Sequence, residues 1–130
     1  MVQIANNGII TVDQGDSFTL PFYIYLGPLN NEIYHMAEGD RLYFAVMEPN
    51  ASFDEAIIKK VYDWHDFDSQ GQCVHIHFTT DDTANLLGGT YYYSVKLVRN
   101  HTIDIQNGIQ TSSEILVDTV QKKTKFIIIQ

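Results

Sequence analysis

The sequence predicts an all-β protein, an antiparallel β-sandwich of seven to nine strands. Apolar and polar residues alternate with a period of two, clusters of turn residues separate the alternating segments, and no segment has a long helical period. A parallel sheet would need crossover helices, so we expect antiparallel pairing. The 130 residues are of ordinary single-domain size, and we expect one domain covering residues 1–130.

The first half of the chain contains three alternating segments. A strand at residues 9–12 precedes a turn at 13–16, and a second strand follows at 18–25. Pro21 has no N–H to donate to a neighbouring strand, which indicates that this second strand has an edge or a bulge there. A third strand is predicted at 42–47.

Three more segments follow. The fourth strand, at residues 57–62, carries a lysine pair in its middle, which is typical of an edge strand. The fifth strand, at 73–78, directs its even-numbered residues inward. Residues 80–83 predict the cap of one helical turn, and the sixth strand follows at 91–97. The predicted core contains eight side chains from these strands: Phe18, Leu20, Phe22, Leu42, Phe44, Ile76, Phe78 and Tyr93.

The end of the chain is predicted to consist of short pieces. We expect the chain to turn at Asn100-His101 and again at Asn107-Gly108, a dipeptide that favours hairpins. The closing strands are predicted at 115–117 and 125–129, with a loop or hinge at 118–124.

Composition restricts the environment and the partners. One cysteine, Cys73, excludes a disulfide within the chain, and no secretory signal or apolar span of membrane length is present. These features indicate synthesis in a reducing cytoplasm. The net charge of −8 argues against nucleic acid and against anionic membranes, so we expect neither as a partner.

Candidate catalytic and metal-binding motifs are weak. His75 and His77 share one strand face, but only one cysteine is available to complete a zinc site. Residues 66–71 imitate the start of a calcium loop, yet the twelfth position is His77 and not the required Glu. No acid pair or nucleophile has the context that catalysis requires. We therefore expect a protein that is not an enzyme, with no catalytic residue, no metal and no cofactor.

The tyrosines give the more specific signals. In immunoglobulin-type sandwiches a tyrosine near the start of the sixth strand bonds back to the corner before it, and Tyr91 or Tyr93 fits that role. The fold prediction is therefore an immunoglobulin-like sandwich. Other tyrosines on strands are candidate interface anchors, since exposed Tyr is enriched at interfaces. The candidates are Tyr23, Tyr25, Tyr43 and Tyr92.

Three segments resemble motifs of immunoglobulin-like domains in structural proteins of tailed phages and prophages. They are residues 15–20 (GDSFTL), 39–46 (GDRLYFAV) and 82–97. The last is similar to the signature D-x-x-x-L-x-x-G-x-Y-x-Y-D-V-x-L, with Ser94 where Asp is usual. The family that these motifs resemble includes the N-terminal domains of upper baseplate proteins.

The resemblance implies a structural role in a virion. We expect a non-enzymatic module of a phage or prophage particle, part of a tail or baseplate, that is synthesised in the bacterial host cytoplasm. Its partners would be other virion proteins and further copies of itself, through protein–protein contacts.

The alternative is a carbohydrate- or cell-surface-binding β-sandwich module. Trp64 is the single tryptophan, and Asp63, Asp66 and Asp68 lie close to it in sequence. An exposed indole can stack on a sugar ring while carboxylates accept hydrogen bonds from its hydroxyls.

Overall fold

The computed structural model describes residues 2–26, 29, 31–106 and 109–130, and for residues 100–116 it describes only the backbone. The all-β prediction is confirmed, because this part of the chain contains ten strands, one short α-helix and two 3₁₀ turns. Three strands of only two residues raise the strand count above the expected seven to nine. The elements are β1 (Gln3–Ile4), β2 (Ile10–Asp13), β3 (Phe18–Tyr23), β4 (Tyr25–Leu26), β5 (Glu32–Ile33), β6 (Arg41–Met47), β7 (Ile58–Asp63), β8 (Cys73–Phe78), α1 (Thr80–Ala84), β9 (Gly89–Gln106) and β10 (Ile109–Ile129).

The strands form one large sheet and two small ones. The large sheet has the order β1-β2-β10-β9-β6-β7, and the small sheets are β3-β8 and β4-β5. The expectation of purely antiparallel pairing is wrong for one pair, since β10 runs parallel to β2 from Phe126↔Ile10 to Ile129↔Asp13. No crossover helix is needed, because the rest of the chain runs through both sheets before β10 returns beside β2.

The two-stranded sheet β3-β8 packs its apolar face on the large sheet. Phe18 and Phe78 stack with ring centroids 4.7 Å apart. The Phe78 ring also lies 5.6 Å from Phe44 and 5.6 Å from Phe126, both on the large sheet. Seven of the eight predicted core residues are buried, and Phe22 is partly buried against them. Alternation within each strand therefore predicted the core well.

The edges lie where the sequence predicted them. β3, which contains Pro21, has β8 as its single neighbour among the described strands, and β7 with Lys59 and Lys60 ends the large sheet. Lys60 also reaches across to α1, with its Nζ 2.7 Å from Asp82 Oδ2. The helix cap lies one residue earlier than expected, since the Thr79 hydroxyl accepts the Asp82 N–H at 3.2 Å.

β9 and β10 continue beyond the sheet as a two-stranded ribbon. Pairing of β6 with β9 ends at Arg41↔Val98, whereas β9 and β10 remain paired from Arg99↔Leu116 to Gln106↔Ile109. We call residues 99–106 and 109–116 the arm. The expected turn at Asn100-His101 is therefore wrong, and Asn107-Gly108 lies outside the described residues.

The predicted loop at 118–124 is also wrong, because β10 passes through it as a strand. Two register shifts, between Thr119 and Gln121 and between Gln121 and Thr124, accommodate the polar residues there. The Gln121 carbonyl accepts a hydrogen bond from the Ser94 hydroxyl at 2.8 Å, so the irregular segment stays attached to β9.

Candidate functional site

Two of the predicted interface tyrosines share one hollow. Tyr23 at the end of β3 and Tyr25 in β4 are both exposed. Together with Phe22, Val120 and Gln121 they line a hollow of about 260 Å³ between β3 and β10. The structure thus brings these two candidates together beside the irregular part of β10.

The other two tyrosines lie on the outer face of the large sheet, which faces away from β3-β8. Tyr43 is paired with Val61 on β7 and with Lys96 on β9, and Tyr92 is paired with Met47. Lys96 and Tyr92 are four residues apart on one strand, which places Tyr43 and Tyr92 about 13 Å apart. The four tyrosines therefore belong to two separate places and do not form one aromatic patch.

An apolar stripe that the sequence analysis missed crosses this outer face at the root of the arm. It consists of Tyr43, Val61, Val98 and Val117, and we call it the outer stripe. Val61 is 50% exposed and Val117 is 59% exposed. Val98 and Val117 are directly paired, and Val61 and Tyr43 are directly paired. The outer stripe therefore consists of two apolar pairs in adjacent rows of the sheet, with Arg41 opposite Val98 and Lys96 opposite Tyr43, and it borders the first residues of the arm.

A polar cluster holds the root of the arm on the inner side. Arg99 Nη2 lies 2.8 Å from Asp118 Oδ2, joining β9 to β10, and the Arg99 guanidinium lies 5.7 Å from the centre of the Tyr34 ring. The Tyr34 hydroxyl donates to the buried carboxylate of Asp40 at 2.5 Å. Burial, and then that hydrogen bond, raise the pKa of Tyr34 well above its ordinary value, so the hydroxyl remains a donor.

Tyr34, Arg99 and Asp118 line a hollow of about 450 Å³ at the arm root, together with Leu26, Glu32, Ile33 and Thr119. Two of its three ionic side chains, Arg99 and Asp118, are paired with each other, and the third is Glu32. The cluster is therefore suited to fixing the direction of the arm relative to the sheet, because it ties both arm strands to the segment before β6.

The residues of the alternative sugar site are brought together only in part. Trp64 is 39% exposed and shares a hollow of about 330 Å³ with Asp68 and the loop that follows it. Asp63 and Asp66 instead cap the 3₁₀ turn Trp64–Asp66. Asp63 Oδ1 accepts the His65 N–H, and Asp66 Oδ2 accepts the Asp63 N–H, both at 2.9 Å.

Asp68 is ionised in this hollow. Its Oδ1 accepts the N–H of Gln72 at 2.9 Å and that of Gln70 at 3.2 Å. These backbone donors, that of Gln72 first, lower the pKa of Asp68. Of the three aspartates that the sequence predicted for this site, Asp68 lines the hollow beside Trp64, whereas Asp63 and Asp66 do not.

The remaining polar groups do not assemble a further site among the described residues. His77 Nδ1 lies 2.8 Å from the Thr19 hydroxyl on the neighbouring strand, and no group of three His, Cys, Asp or Glu side chains converges in the described part of the chain. No described helix is long and apolar enough to cross a membrane. No protein family, no curated protein and no solved structure significantly matches this chain.

Proposed function

We propose that this chain is a non-enzymatic structural module of a phage or prophage particle, of the tail or baseplate kind, that acts through protein–protein contacts. The observation that carries the proposal is the arm, a ribbon that extends beyond the last paired residue of β6. Arg99 and Asp118 hold its root, and the outer stripe adjoins it. A ribbon whose strands pair with no other described strand is suited to contact with another protein.

We further propose that the two facing sheets are an immunoglobulin-like sandwich. The order β10-β9-β6-β7 facing β3-β8 corresponds to the strands that immunoglobulin variable-type domains call G, F, C and C′ facing B and E. The Tyr91 hydroxyl donates to the Leu87 carbonyl at 2.9 Å, four residues upstream and just before β9. That bond supports the tyrosine-corner role, which the sequence analysis left open between Tyr91 and Tyr93.

Tyr93 has a different role from the corner tyrosine. It follows Tyr91 by two residues, the position at which antibody domains carry their second core cysteine. Its ring stacks on Phe44 with centroids 5.2 Å apart, and its hydroxyl donates to the Gly8 carbonyl at 2.5 Å. This stack joins β9 to β6 within the large sheet, whereas the antibody disulfide links the two sheets. Contacts of Phe78 on β8 with Phe44 and Phe126 link the sheets here.

The proposal is tested by locating the chain in particles. An epitope-tagged copy is expressed in a bacterium that carries its gene, particle production is induced, and particles are purified by density gradient before mass spectrometry. We expect the chain to copurify with particles. The intact chain is compared with a variant in which residues 102–113 are replaced by Asn-Gly. This replacement shortens the arm and keeps His101 opposite Glu114. We expect this variant to fold and to be depleted from particles at least about tenfold. Absence of the intact chain from particles would contradict the proposal.

A second candidate function, binding of a carbohydrate or a cell-surface glycan, is favoured by the hollow that Trp64 and Asp68 share. Because Trp64 is the single tryptophan, its fluorescence reports binding directly. A saturable change on titration with a bacterial glycan, weakened in Asp68→Asn and preserved in Asp63→Asn, would support this function. No change across a panel of cell-wall glycans would remove it.

A further inference from the structure

We propose that the arm binds the arm of a second copy of this chain, so that two copies associate through an intermolecular sheet. The inference rests on the proposed function and names one partner for its protein–protein contacts. Beyond Val98 the free edge of β9 is formed by residues 99–106, which at strand spacing extend about 26 Å. None of the other described strands pairs with either edge of the arm.

A ribbon of two strands is marginally stable in water, whereas three or more strands with an apolar face are stable. The arm would therefore be stabilised by a third strand along its free edge. Its sequence is suited to pairing, because it contains five branched apolar residues: Ile103, Ile105, Ile109, Ile115 and Leu116.

The arm also lacks the protection that two other edges of this chain carry. Pro21 interrupts β3, and Lys59 with Lys60 charges β7, which are the usual devices against strand addition. Residues 100–116 contain no Pro, Lys or Arg, and Asp104 and Glu114 are their only formal charges. The chain thus protects two of its edges and leaves the arm open.

Symmetry favours a second copy as the partner. Two identical strand edges pair antiparallel about a two-fold axis, so the arm needs no second kind of surface to complete a sheet. The free edge of β9 lies in line with β6, whose first residue, Arg41, is the last to pair with β9 on this side. An incoming strand of the same eight residues fits between that end and the tip of the arm, giving the order β10-β9-β9-β10 across the two copies.

The net charge of each copy also favours contact through the arms. Each copy has a net charge of −8, so two sandwiches repel each other at close range. Arms that overlap over their whole length keep the sandwiches about 26 Å apart, well beyond the screening length of about 8 Å at physiological salt. The contact then forms between segments that carry few formal charges.

The test is the mass of the full chain in solution, measured by light scattering after size-exclusion chromatography and by sedimentation equilibrium. We expect twice the 14.9 kDa chain mass, and 14.9 kDa or less for the variant shortened at residues 102–113. Two single substitutions, Ile105→Lys and Leu87→Lys, each add one positive charge, so a difference between their effects reports the position and not the charge. We expect Ile105→Lys on the arm to raise the dissociation constant at least about tenfold. Leu87→Lys, at a site that is 73% exposed and outside the arm, should leave it unchanged.

Three outcomes would overturn the inference. They are a full chain that is monomeric at about 0.5 mM, a shortened variant that still forms dimers, and equal effects of Ile105→Lys and Leu87→Lys. The result is separable from the proposed function. A monomeric chain that enters particles would refute pairing between copies and leave the structural role intact. A dimer that never enters particles would refute the structural role and leave pairing between copies intact.

Discussion

Replacing Phe78 with alanine tests whether an aromatic cluster joins the two sheets. The Phe78 side chain is fully buried. The centroid of its ring lies 4.7 Å from that of Phe18 and 5.6 Å from those of Phe44 and Phe126. Removal of a buried Phe side chain costs about 3–5 kcal/mol, because transfer energy is lost and a cavity remains. We expect a loss of about 4–5 kcal/mol, since each aromatic pair adds about 0.5–1.5 kcal/mol beyond the buried area.

Guanidinium denaturation followed by circular dichroism measures this loss in the free energy of unfolding. Domains of this size are stable by about 5–15 kcal/mol, so the variant should lose a quarter or more of its stability. Phe22→Ala is the matched control, because Phe22 lies in the same small sheet but is only partly buried, and it should cost about 1–2 kcal/mol. A loss below about 1.5 kcal/mol for Phe78→Ala, or equal losses for both variants, would refute the packing described.

Three further predictions concern single side chains. Tyr91→Phe should lower the free energy of unfolding by about 1 kcal/mol, because the bond to the Leu87 carbonyl is lost; no change in the denaturation midpoint would argue against the corner. Burial opposes ionisation of Asp82, but the hydrogen bonds from Lys60 and from the backbone still lower its pKa. Its stabilising effect is present above the unfolded-state pKa of about 4 and is lost as the pH falls through the lower folded-state pKa, so Asp82→Asn should flatten the pH dependence of the melting temperature below about pH 4. Cys73 is buried, so its thiol should react with a disulfide reagent at least about a hundredfold more slowly in the native chain than in denaturant, and equal rates would contradict its burial.

Much of the sandwich could be predicted because the patterns that indicate its strands and edges lie within short segments of the sequence. Alternation along β3, β6 and β8 identified the inward side chains, and Pro21 with the lysine pair of β7 identified two edges. The parallel pairing of β2 with β10 could not be predicted in this way, because it depends on where the last strand returns after the chain has passed through both sheets.

The arm was missed because no local signal says how far a hairpin extends beyond its sheet. The polar dipeptide Asn100-His101 favours a turn in the sequence, although β9 runs through it and pairs with β10 at both residues. The polar segment at 118–124 was interpreted as a loop for the same reason, whereas two register shifts keep it within β10. Asn107-Gly108, taken together with the apolar residues on both sides of it, was the one available indication of a long ribbon.

The candidate surfaces depend on contacts between strands that are distant in sequence. The outer stripe joins residues of β6, β7, β9 and β10, so no single segment contains its pattern. Likewise, the sequence showed three aspartates near Trp64, but only the fold shows that Asp63 and Asp66 accept hydrogen bonds from their own turn.

Hydrogen–deuterium exchange of the free chain and of the chain in its assembled form tests the central claim most directly, because it reports which backbone amides a partner covers. If the arm is where this chain meets its partners, peptides covering residues 99–118 should exchange rapidly in the free chain, as expected of an unsupported two-stranded ribbon. The same peptides should exchange at least about tenfold more slowly after assembly. Protection that appears instead around Trp64 and Asp68, with the arm unchanged, would contradict the account.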